Sequence, residues 1–357
     1  MSFKVSPDAY FGEREFSEEL QHCTQDYWIY VCPSVIVKTS GDYFVFQFME
    51  KEHVIRRTAD QQLQGFYNYC KHRGHKIYHQ RVGSGDIRCS YHGWLYDDNN
   101  KLSKLPWNDK CYHIKTEEIS LDRDFSLMEK FGHVWIYLGN KKLEDVKFPA
   151  DQIARQLEAF ERELGNSYAV VVSRQKFNWR LIFDNLYDRV HPGFLHAKSL
   201  ARIVSLDFDS YPDDFSIAED KRDVLANVAQ TGKRRDSNVS VNFMQTSEFE
   251  AGAYVNGHIY PYLHFFTPDG GRVFCYESYL PVSSTETDAN IFWVISKNIG
   301  KAAATSIMQG FIYGGAVVLK EDWDVVSSIT AVVNKPTHYN YGAHEKNAVI
   351  MTKINEK

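Results

Sequence analysis

Residues 70–94 read CKHRGHKIYHQRVGSGDIRCSYHGW and are the most informative part of the sequence. It contains two short pairs of metal-binding side chains, Cys70 with His72 and, after a further 16 residues, Cys89 with His92. Thiolates and imidazoles bind transition metals such as zinc and iron. Three glycines and strand-like ends lie between the pairs, which predicts two facing hairpin loops. The sequence therefore predicts one metal site to which both loops contribute.

Two kinds of metal centre fit these ligands. Zinc bound by two cysteines and two histidines is one, although zinc fingers pair Cys with Cys and His with His. Here each loop supplies one of each, which suits a two-iron, two-sulfide cluster whose thiolates bind one iron and whose imidazoles bind the other. The flanking residues resemble the CxHRG and CxYHGW boxes of the Rieske iron–sulfur family, although Lys71 and Ser90 stand where many members have proline. The resemblance implies a [2Fe-2S] cluster whose ligands are Cys70, His72, Cys89 and His92.

The residues on either side of this stretch divide the chain into two parts. From 42 to 139, short β-branched and aromatic runs alternate with turns of Gly, Asp and Asn, which predicts a compact all-β unit. Beyond a boundary near 141–149, the apolar spacing predicts a helix at 151–164 and a long helix from 303 to about 330, with strands and loops between them. We therefore predict a small β domain inside a larger α+β domain.

A second group of candidate ligands lies near the middle of the chain. The segment 178–192 predicts a helix that ends at its proline. Spacings of 3, 4 and 3 place a stripe rich in ionisable groups on one face of this helix: Leu181, Asp184, Asp188 and His191. His196 follows five positions after His191, past the end of the helix. Two imidazoles are therefore expected to converge from a helix end and the next turn.

Two histidines and one carboxylate form the facial triad of non-haem Fe(II) oxygenases, which leaves coordination positions open for dioxygen. The carboxylate is expected from the C-terminal helix, where Glu321, Asp322 and Asp324 are the candidates. Asp322 lies on an apolar stripe of that helix, whereas Asp324 aligns with polar residues. A carboxylate on an apolar stripe needs a compensating partner, and a metal ion provides one. We therefore predict that His191, His196 and Asp322 bind a mononuclear iron.

The spacing N-x2-D-x2-H-x4-H, read as Asn185, Asp188, His191 and His196, resembles the catalytic box of Rieske non-haem iron oxygenases. It is most similar to that of the single-polypeptide vanillate- and dicamba-demethylase monooxygenases. An aspartate after Glu in a late helix, as at Asp322, also fits the third ligand of that family. The two motifs occur in the order that the family has, with the cluster motif first.

This resemblance implies an α+β fold class. A small all-β Rieske [2Fe-2S] domain, expected at 41–140, is inserted before a helix-decorated antiparallel-sheet catalytic domain, expected at 141–357. Residues 1–40 are expected to form an N-terminal segment that packs on the catalytic domain.

The resemblance also implies the activity of a terminal oxygenase component. Such components take electrons from a reductase, directly or through a ferredoxin, with NAD(P)H as the ultimate source. They activate dioxygen at Fe(II) and hydroxylate, dihydroxylate or oxidatively dealkylate a small organic substrate. The usual assembly is a head-to-tail homotrimer. In it, Asp188 is expected to be a catalytic residue that bridges His191 and His92 of the partner subunit.

Two other classes of function remain open. One is a Rieske-type electron carrier whose long C-terminal part is merely structural, and the other is a zinc-stabilised binding protein without oxygenase activity. The candidate ligands between 178 and 196 argue against a pure carrier, because a carrier needs no iron with open coordination positions.

The substrate is the least determined part of the prediction. Candidate pocket residues lie on one face of the predicted strand 254–264, namely Asn256, His258 and Tyr260. Ordinary sheet packing explains these residues equally well. Aromatic acids, methylated amines or ethers and polar natural products all remain open, and aromatic walls also suit a quaternary ammonium group through cation–π contact.

Charge and composition exclude other kinds of partner. The chain has 41 Lys and Arg against 46 Asp and Glu, a net charge of −5, which argues against nucleic acid or an anionic membrane surface. No run approaches the roughly 20 apolar residues of a membrane-spanning helix, and residues 1–11 lack a signal-peptide core. We therefore expect no membrane association and a cytoplasmic location, in which thiols stay reduced.

The six cysteines are too few and too scattered for a disulfide scaffold. Outside the two Cys–His pairs, we expect the remaining cysteines to be small buried apolar side chains. These are Cys23, Cys32, Cys111 and Cys275.

Overall fold

The computed structural model describes residues 3–148, 151–187, 190–199, 229–231, 254–268, 270–342 and 345. The chain forms two compact units. One consists of Trp28–Asn140, and the other combines Met1–Tyr27 with Lys141–Lys357. In sequence, a small all-β unit is thus inserted before most of a larger α+β unit, which confirms the predicted fold class.

The larger unit begins with strand β1 (Phe3–Val5) and helices α1 (Asp8–Phe11) and α2 (Glu13–Asp26). The smaller unit follows, with strands β2 (Ile29–Pro33), β3 (Asp42–Phe48), β4 (Lys51–Arg57), β5 (Leu63–Tyr67), β6 (Val82–Ser84), β7 (Ile87–Arg88), β8 (Leu95–Tyr96), β9 (Leu102–Lys104), β10 (Ser126–Lys130) and β11 (His133–Tyr137). These strands form antiparallel sheets in the orders β10-β11-β2, β5-β4-β3-β6 and β7-β8-β9.

The smaller unit begins earlier than the sequence predicted. Strand β2 pairs with β11 in the register Val134 with Cys32 and Trp135 with Tyr30, and all five residues of β2 are buried. The predicted boundary at 41 missed this strand, because β2 completes a sheet whose other strands lie almost a hundred residues later in the chain. Residues 28–40 therefore belong to the smaller unit, and only the segment up to Tyr27 groups with the larger one.

Both cysteines of the predicted cluster belong to the hydrophobic core of the smaller unit. Cys70 and Cys89 pack among buried aromatic and aliphatic side chains that include Tyr78, Trp94 and Tyr96. All six cysteines are free, as expected without a disulfide scaffold. Cys23, Cys32 and Cys275 are buried, but the expectation of burial is wrong for Cys111, which lies exposed in the loop after β9.

The larger unit continues after the insertion with α3 (Asp151–Glu163), β12 (Leu164–Gln175), α4 (Trp179–Tyr187), α5 (His191–Leu195), β13 (Ala229–Thr231), β14 (Tyr254–Ile259), β15 (Leu263–Thr267), β16 (Val273–Ser283), β17 (Glu286–Ser296), α6 (Lys301–Ala331) and β18 (Tyr339–Tyr341). Its main sheet is antiparallel in the order β12-β17-β16-β15-β14-β13. Strand β18 pairs with β1, so the two ends of the described chain meet.

Helices cover both faces of this sheet. Phe274 and Tyr279 in β16 are an odd number of positions apart, so their side chains lie on opposite faces. Phe160 of α3 packs on Phe274 with ring centroids 4.8 Å apart, whereas Phe183 of α4 packs on Tyr279 at 5.8 Å. This two-sided cover explains why β16 and β17 are almost entirely buried, without the alternating burial typical of a half-exposed strand.

Gly315 lets α6 approach the sheet closely. A Cβ atom at this position would lie 2.8 Å from Cζ2 of Trp293 in β17, which is closer than a methyl group can pack. Phe311, one turn earlier, packs on the same indole with a centroid distance of 6.2 Å. The middle of α6 is therefore seated directly on the sheet.

Helix α6 is also long enough and apolar enough to cross a membrane, by length and composition alone. The sequence analysis expected no segment as long and apolar as a membrane-spanning helix, and that expectation is wrong for α6. Such a helix is weak evidence of a membrane span, because core helices of other proteins pass the same test. Helix α6 contacts β12, β17 and α4, and it carries the buried carboxylate of Asp322.

The predicted helix 178–192 is two helices. Helix α4 ends at Tyr187, and α5 begins at His191 with Pro192 in its first turn. Proline is well accommodated there, because its missing N–H has no partner in the first turn of a helix in any case. Pro192 thus helps to begin a helix where the sequence analysis expected it to end one.

Candidate metal centres

The two predicted histidines lie at the two ends of α5. His191 is the first residue of this helix, and His196 follows its last residue, with the His196 N–H donating to the carbonyl oxygen of Pro192 at 3.2 Å. The two rings have centroids 5.2 Å apart and planes at 78° to each other. His196 is buried and His191 is partly buried. One short helix therefore brings the two imidazoles together.

Asp322 reaches the same place from α6. Its Oδ1 atom lies 3.1 Å from Nε2 of His196 and 3.7 Å from Nε2 of His191, and the residue is only 3% exposed. One ligand atom from each of the three residues lies within 4.8 Å of the others. The Nδ2 group of Asn185, in α4, donates to the same Oδ1 atom at 2.7 Å. The structure therefore brings all three predicted iron ligands together.

The two acidic neighbours of Asp322 have different surroundings. Asp324 is exposed and pairs with Lys320 one turn away, as the periodicity of the helix predicted. Glu321 accepts hydrogen bonds from Nδ1 of His196 at 2.7 Å and from the hydroxyl of Ser199 at 2.6 Å. Glu321 thus fixes the ring of His196, a role that the sequence analysis missed. A carboxylate hydrogen-bonded to the second nitrogen of a ligand histidine is a recurrent feature of metal sites. No spacing in the sequence predicts which carboxylate it will be.

Negative charge around His196 suits a cation. Burial lowers the pKa of His196, but hydrogen bonds and charges from Asp322 and Glu321 outweigh that effect, and the pKa lies above its usual value. Two imidazole nitrogens and one carboxylate oxygen are the donor set of a non-haem iron site with open positions. The residues present therefore fit a mononuclear iron. Asp188, the predicted bridge between subunits, lies outside the described residues.

The predicted cluster ligands also meet, on the smaller unit. Cys70 and Cys89 are 1% and 2% exposed, whereas His72 and His92 are partly exposed with their Nδ1 atoms 3.1 Å apart. The hydroxyl of Tyr96 lies 3.2 Å from Sγ of Cys70. Thiols on the inside and imidazoles toward the surface give two chemically different pairs of donors. This arrangement fits a two-iron cluster with two thiolates on one iron and two imidazoles on the other.

The two ligand loops have the same backbone hydrogen bonds. The Cys70 N–H donates to the carbonyl oxygen of His75 at 2.8 Å, and the Cys89 N–H donates to that of Trp94 at 2.9 Å. In each loop, the glycine four residues after the cysteine donates to the cysteine carbonyl oxygen at 2.9 Å. Both glycines, Gly74 and Gly93, have left-handed φ angles near +74°, at +73° and +75°, which explains why glycine occurs there. The loops are therefore equivalent, although their histidines lie two and three residues after the cysteine.

The predicted pocket residues are engaged in packing within the larger unit. The side chain of Asn256 lies outside the described part of the chain. His258 is buried and stacks on Phe183 of α4 at 4.2 Å, and burial lowers the pKa of His258 to about 3, so the ring is neutral. Tyr260 follows the end of β14, and its hydroxyl lies 3.0 Å from Sγ of Cys23 in α2. His258 therefore contacts α4, the helix that also carries Asn185.

Both candidate metal centres lie within ranges of the chain that match known protein families. The Rieske [2Fe-2S] domain matches residues 27–118, and the vanillate O-demethylase oxygenase C-terminal domain matches residues 176–349. The first range contains the four candidate cluster ligands, and the second contains the three candidate iron ligands. The chain therefore contains a Rieske [2Fe-2S] domain and a vanillate O-demethylase oxygenase C-terminal domain. The predicted resemblance is thereby confirmed.

Curated relatives of this chain include large oxygenase components and a monooxygenase. The large oxygenase component of the naphthalene 1,2-dioxygenase system of Ralstonia sp. is 28% identical over 202 residues, which are 53% of this chain and 44% of the relative. Chloroplastic choline monooxygenase of Beta vulgaris is 27% identical over 230 residues, or 57% of this chain and 46% of the relative. The chain thus spans less than half the length of these relatives.

Solved structures show the same fold over nearly the whole chain. The quaternary ammonium Rieske monooxygenase CntA matches with a TM-score of 0.72 and 18% identity, covering 99% of this chain and 95% of CntA. Naphthalene 1,2-dioxygenase from Rhodococcus sp. matches with a TM-score of 0.66 and 14% identity, with the same coverage. At these identities the likeness establishes the fold alone.

Proposed function

We propose that this protein is a terminal oxygenase. It takes electrons that come ultimately from NAD(P)H through a reductase, directly or by way of a ferredoxin. It then activates dioxygen and hydroxylates or oxidatively dealkylates a small organic substrate. The observation that carries the proposal is the meeting of His191, His196 and Asp322 from two helices far apart in the sequence.

Each residue around that meeting point has a defined task. Nε2 of both histidines and Oδ1 of Asp322 would hold Fe(II), which supplies dioxygen activation at its open coordination positions. Glu321 holds the other nitrogen of His196 and thereby fixes the orientation of the ring. Asn185 restrains the carboxylate of Asp322. The chain thus presents an ordered set of three donors that would hold the metal.

The smaller unit would supply the electrons. Cys70 and Cys89 would bind one iron of the cluster, and His72 and His92 the other. The hydroxyl of Tyr96, beside Sγ of Cys70, would stabilise negative charge on that sulfur. His72 and His92 are the more exposed of the four ligands, and they would be the ones nearest to an electron acceptor.

The proposal includes an assembly and a location. A head-to-tail homotrimer, with Asp188 bonded to His191 and to His92 of the partner subunit, would bring the cluster of one chain to the iron of the next. The structure of CntA has been described as giving insight into inter-subunit electron transfer, which supports this arrangement by likeness. The six free cysteines support a reducing, cytoplasmic location.

A metal assay separates this proposal from its alternatives. The purified protein should be red-brown and contain about three irons and two acid-labile sulfides per chain. An electron carrier would contain the cluster without the third iron. A zinc-stabilised binding protein would be colourless and contain zinc, and that result would overturn the proposal.

A turnover assay then tests the activity and the substrate class. The protein is mixed with NADH and a ferredoxin–reductase pair, and NADH and dioxygen consumption are followed with aromatic acids, aryl methyl ethers and quaternary ammonium compounds. The last class enters because relatives include choline monooxygenase and CntA. Product mass distinguishes a gain of one oxygen atom from the loss of a methyl group. If the three-iron protein consumes no dioxygen with any class, the proposed activity is contradicted for those substrates.

A further inference from the structure

Two tyrosines from opposite ends of the chain meet on one carboxyl group. Tyr10 of α1 donates its hydroxyl hydrogen to Oδ2 of Asp184 in α4, and Tyr341 of β18 donates to the same oxygen at 3.2 Å. The two hydroxyl oxygens are themselves 2.7 Å apart. Tyr10 is 1% exposed and Asp184 is 6% exposed. The pairing of β1 with β18 holds the two chain ends beside each other at this point.

The N-terminal segment also forms hydrogen bonds with residues at the beginning of α4. Nδ2 of Asn178 donates to the carbonyl oxygen of Tyr10 at 2.6 Å, just before α4 begins. Nε of Arg180 donates to the carboxylate of Glu19 at 2.6 Å, and NH1 of Arg180 donates to the carbonyl oxygen of Ala9. All these contacts are buried or partly buried. Helix α4 is therefore held along its length by residues of α1 and α2.

The next residue after Asp184 acts on the candidate iron site. Asn185 donates to Oδ1 of Asp322 at 2.7 Å, and this is the oxygen closest to both histidines. Adjacent residues of a helix point about 100° apart, so they contact different neighbours while sharing one backbone. A shift of α4 at Asp184 therefore moves Asn185, and with it the hydrogen bond to Asp322.

We propose that Tyr10, Asp184 and Tyr341 form a positioning clamp for the iron site. The clamp acts through Asn185 on Asp322 and makes iron affinity depend on both ends of the chain. The inference rests on the proposed iron site, because without iron at Asp322 there is nothing to position. A contact made directly to a metal ligand, such as that of Asn185 with Asp322, changes metal affinity by about 10–100-fold when it is removed. The clamp acts one step further away, so each of its hydroxyl groups should have a smaller effect.

The first test measures iron affinity in variants that lose one hydroxyl group. Metal-depleted protein is titrated anaerobically with Fe(II) against a chelator, and the melting temperature of the metal-depleted protein is measured alongside. Tyr10→Phe should weaken Fe(II) binding measurably but by less than about tenfold, the lower end of the range for a contact made directly to a ligand, and Tyr341→Phe should weaken it less, because its bond to Asp184 is longer. Tyr339→Phe is the matched control: its ring packs edge-on against Tyr10 at 6.0 Å, in the same strand as Tyr341.

The outcomes separate a positioning role from a merely structural one. A lower melting temperature with unchanged Fe(II) affinity in both Tyr10→Phe and Tyr341→Phe would overturn the clamp. An equal loss of affinity in Tyr339→Phe would do the same, because the effect would then not depend on Asp184. If Tyr10→Phe does not fold, Tyr341→Phe carries the test. Wild-type protein that binds no Fe(II), or binds it equally well after His191→Ala, contradicts the proposed iron site itself, and the clamp then falls with it.

A double-mutant cycle tests the route through Asn185. Asn185→Ala alone should weaken Fe(II) binding, because it removes the hydrogen bond to Asp322. If the clamp acts through that bond, adding Tyr10→Phe to Asn185→Ala should cause no further loss of affinity. Losses that multiply in the double variant would show an independent route and overturn the inference.

Discussion

The two candidate metal centres are built in contrasting ways. The cluster ligands all lie between Cys70 and His92, on two equivalent loops above one aromatic core. The candidate iron ligands come from α5 and from α6, and the residues that hold them in place include Asn185 of α4. The first centre depends on local turns, whereas the second depends on how distant helices are held. Changes at the first should therefore act locally, and the second should respond to changes far along the chain.

The largest expected effect is loss of the cluster. Cys70→Ser should remove the visible colour and about two of three irons per chain, because a hydroxyl replaces one of two thiolates on one cluster iron. The mononuclear iron should remain, since its ligands are in the other unit. Absorption spectra and an iron assay measure both effects. Cys32→Ser, at a buried cysteine of the same unit away from the loops, should keep the colour. Full colour in Cys70→Ser would contradict the assignment.

Loss of the mononuclear iron alone is the next largest effect. His196→Ala or Asp322→Ala should remove about one of three irons and leave the visible spectrum of the cluster unchanged. Asp324→Ala is the matched control, because Asp324 lies on the same helix but is exposed and pairs with Lys320. The iron assay and the spectrum provide the measurement. Equal loss of iron from Asp322→Ala and Asp324→Ala would contradict the choice of Asp322.

A smaller effect is expected from the carboxylate behind His196. Glu321→Gln keeps the volume of the side chain but removes the charge that accepts the Nδ1 hydrogen of His196. Iron affinity should fall about tenfold, the lower end of the range for such contacts, while the folded structure and the cluster persist. Asp324→Asn removes a charge from the same helix and should leave iron affinity unchanged. Unaltered affinity in Glu321→Gln would show that Glu321 does not support the ligand.

The contrast between the centres also explains what the sequence could predict. The cluster ligands were predictable because all four lie within one short stretch of sequence. The glycines in that stretch allow the turns that bring the ligands together. Asp322 was predictable because helix periodicity separates a buried carboxylate from the exposed Asp324. The partners of Asp184 were not predictable, because Tyr10 and Tyr341 come from the two ends of the chain. The break between α4 and α5 was missed because proline either ends a helix or begins one.

The remaining expected effect is a change in how stability depends on pH. Burial raises the pKa of Asp184 to about 8, although hydrogen bonds from Tyr10 and Tyr341 and the charge of Arg180 lower it; the charge of Glu345 raises it further. In the unfolded chain the pKa of an aspartate is about 4. Between about pH 4 and pH 8 the folded protein therefore keeps a proton that the unfolded chain has lost, so stability falls as pH rises, by up to about 1.4 kcal/mol per pH unit.

Asp184→Asn cannot ionise, so its free energy of unfolding should fall less steeply over the same pH range. Urea unfolding of the metal-depleted protein between about pH 5 and pH 8 measures the two slopes. Asp324→Asn, at an exposed carboxylate, should keep the wild-type slope. Identical slopes in Asp184→Asn and wild type would show that Asp184 is already ionised in the folded protein.

The close contact of α6 with Trp293 makes the position of Asp322 sensitive to a tilt of that helix. Its 31 residues extend over about 46 Å, and Gly315 is the point at which the helix lies closest to Trp293 of the sheet. Asp322 lies about two turns beyond, so a tilt of roughly 5° about Gly315 would carry its carboxylate about 1 Å sideways. A displacement of that size is enough to disable a preorganised site. One methyl group added at Gly315, a residue that touches neither histidine, would therefore act on the metal from a distance.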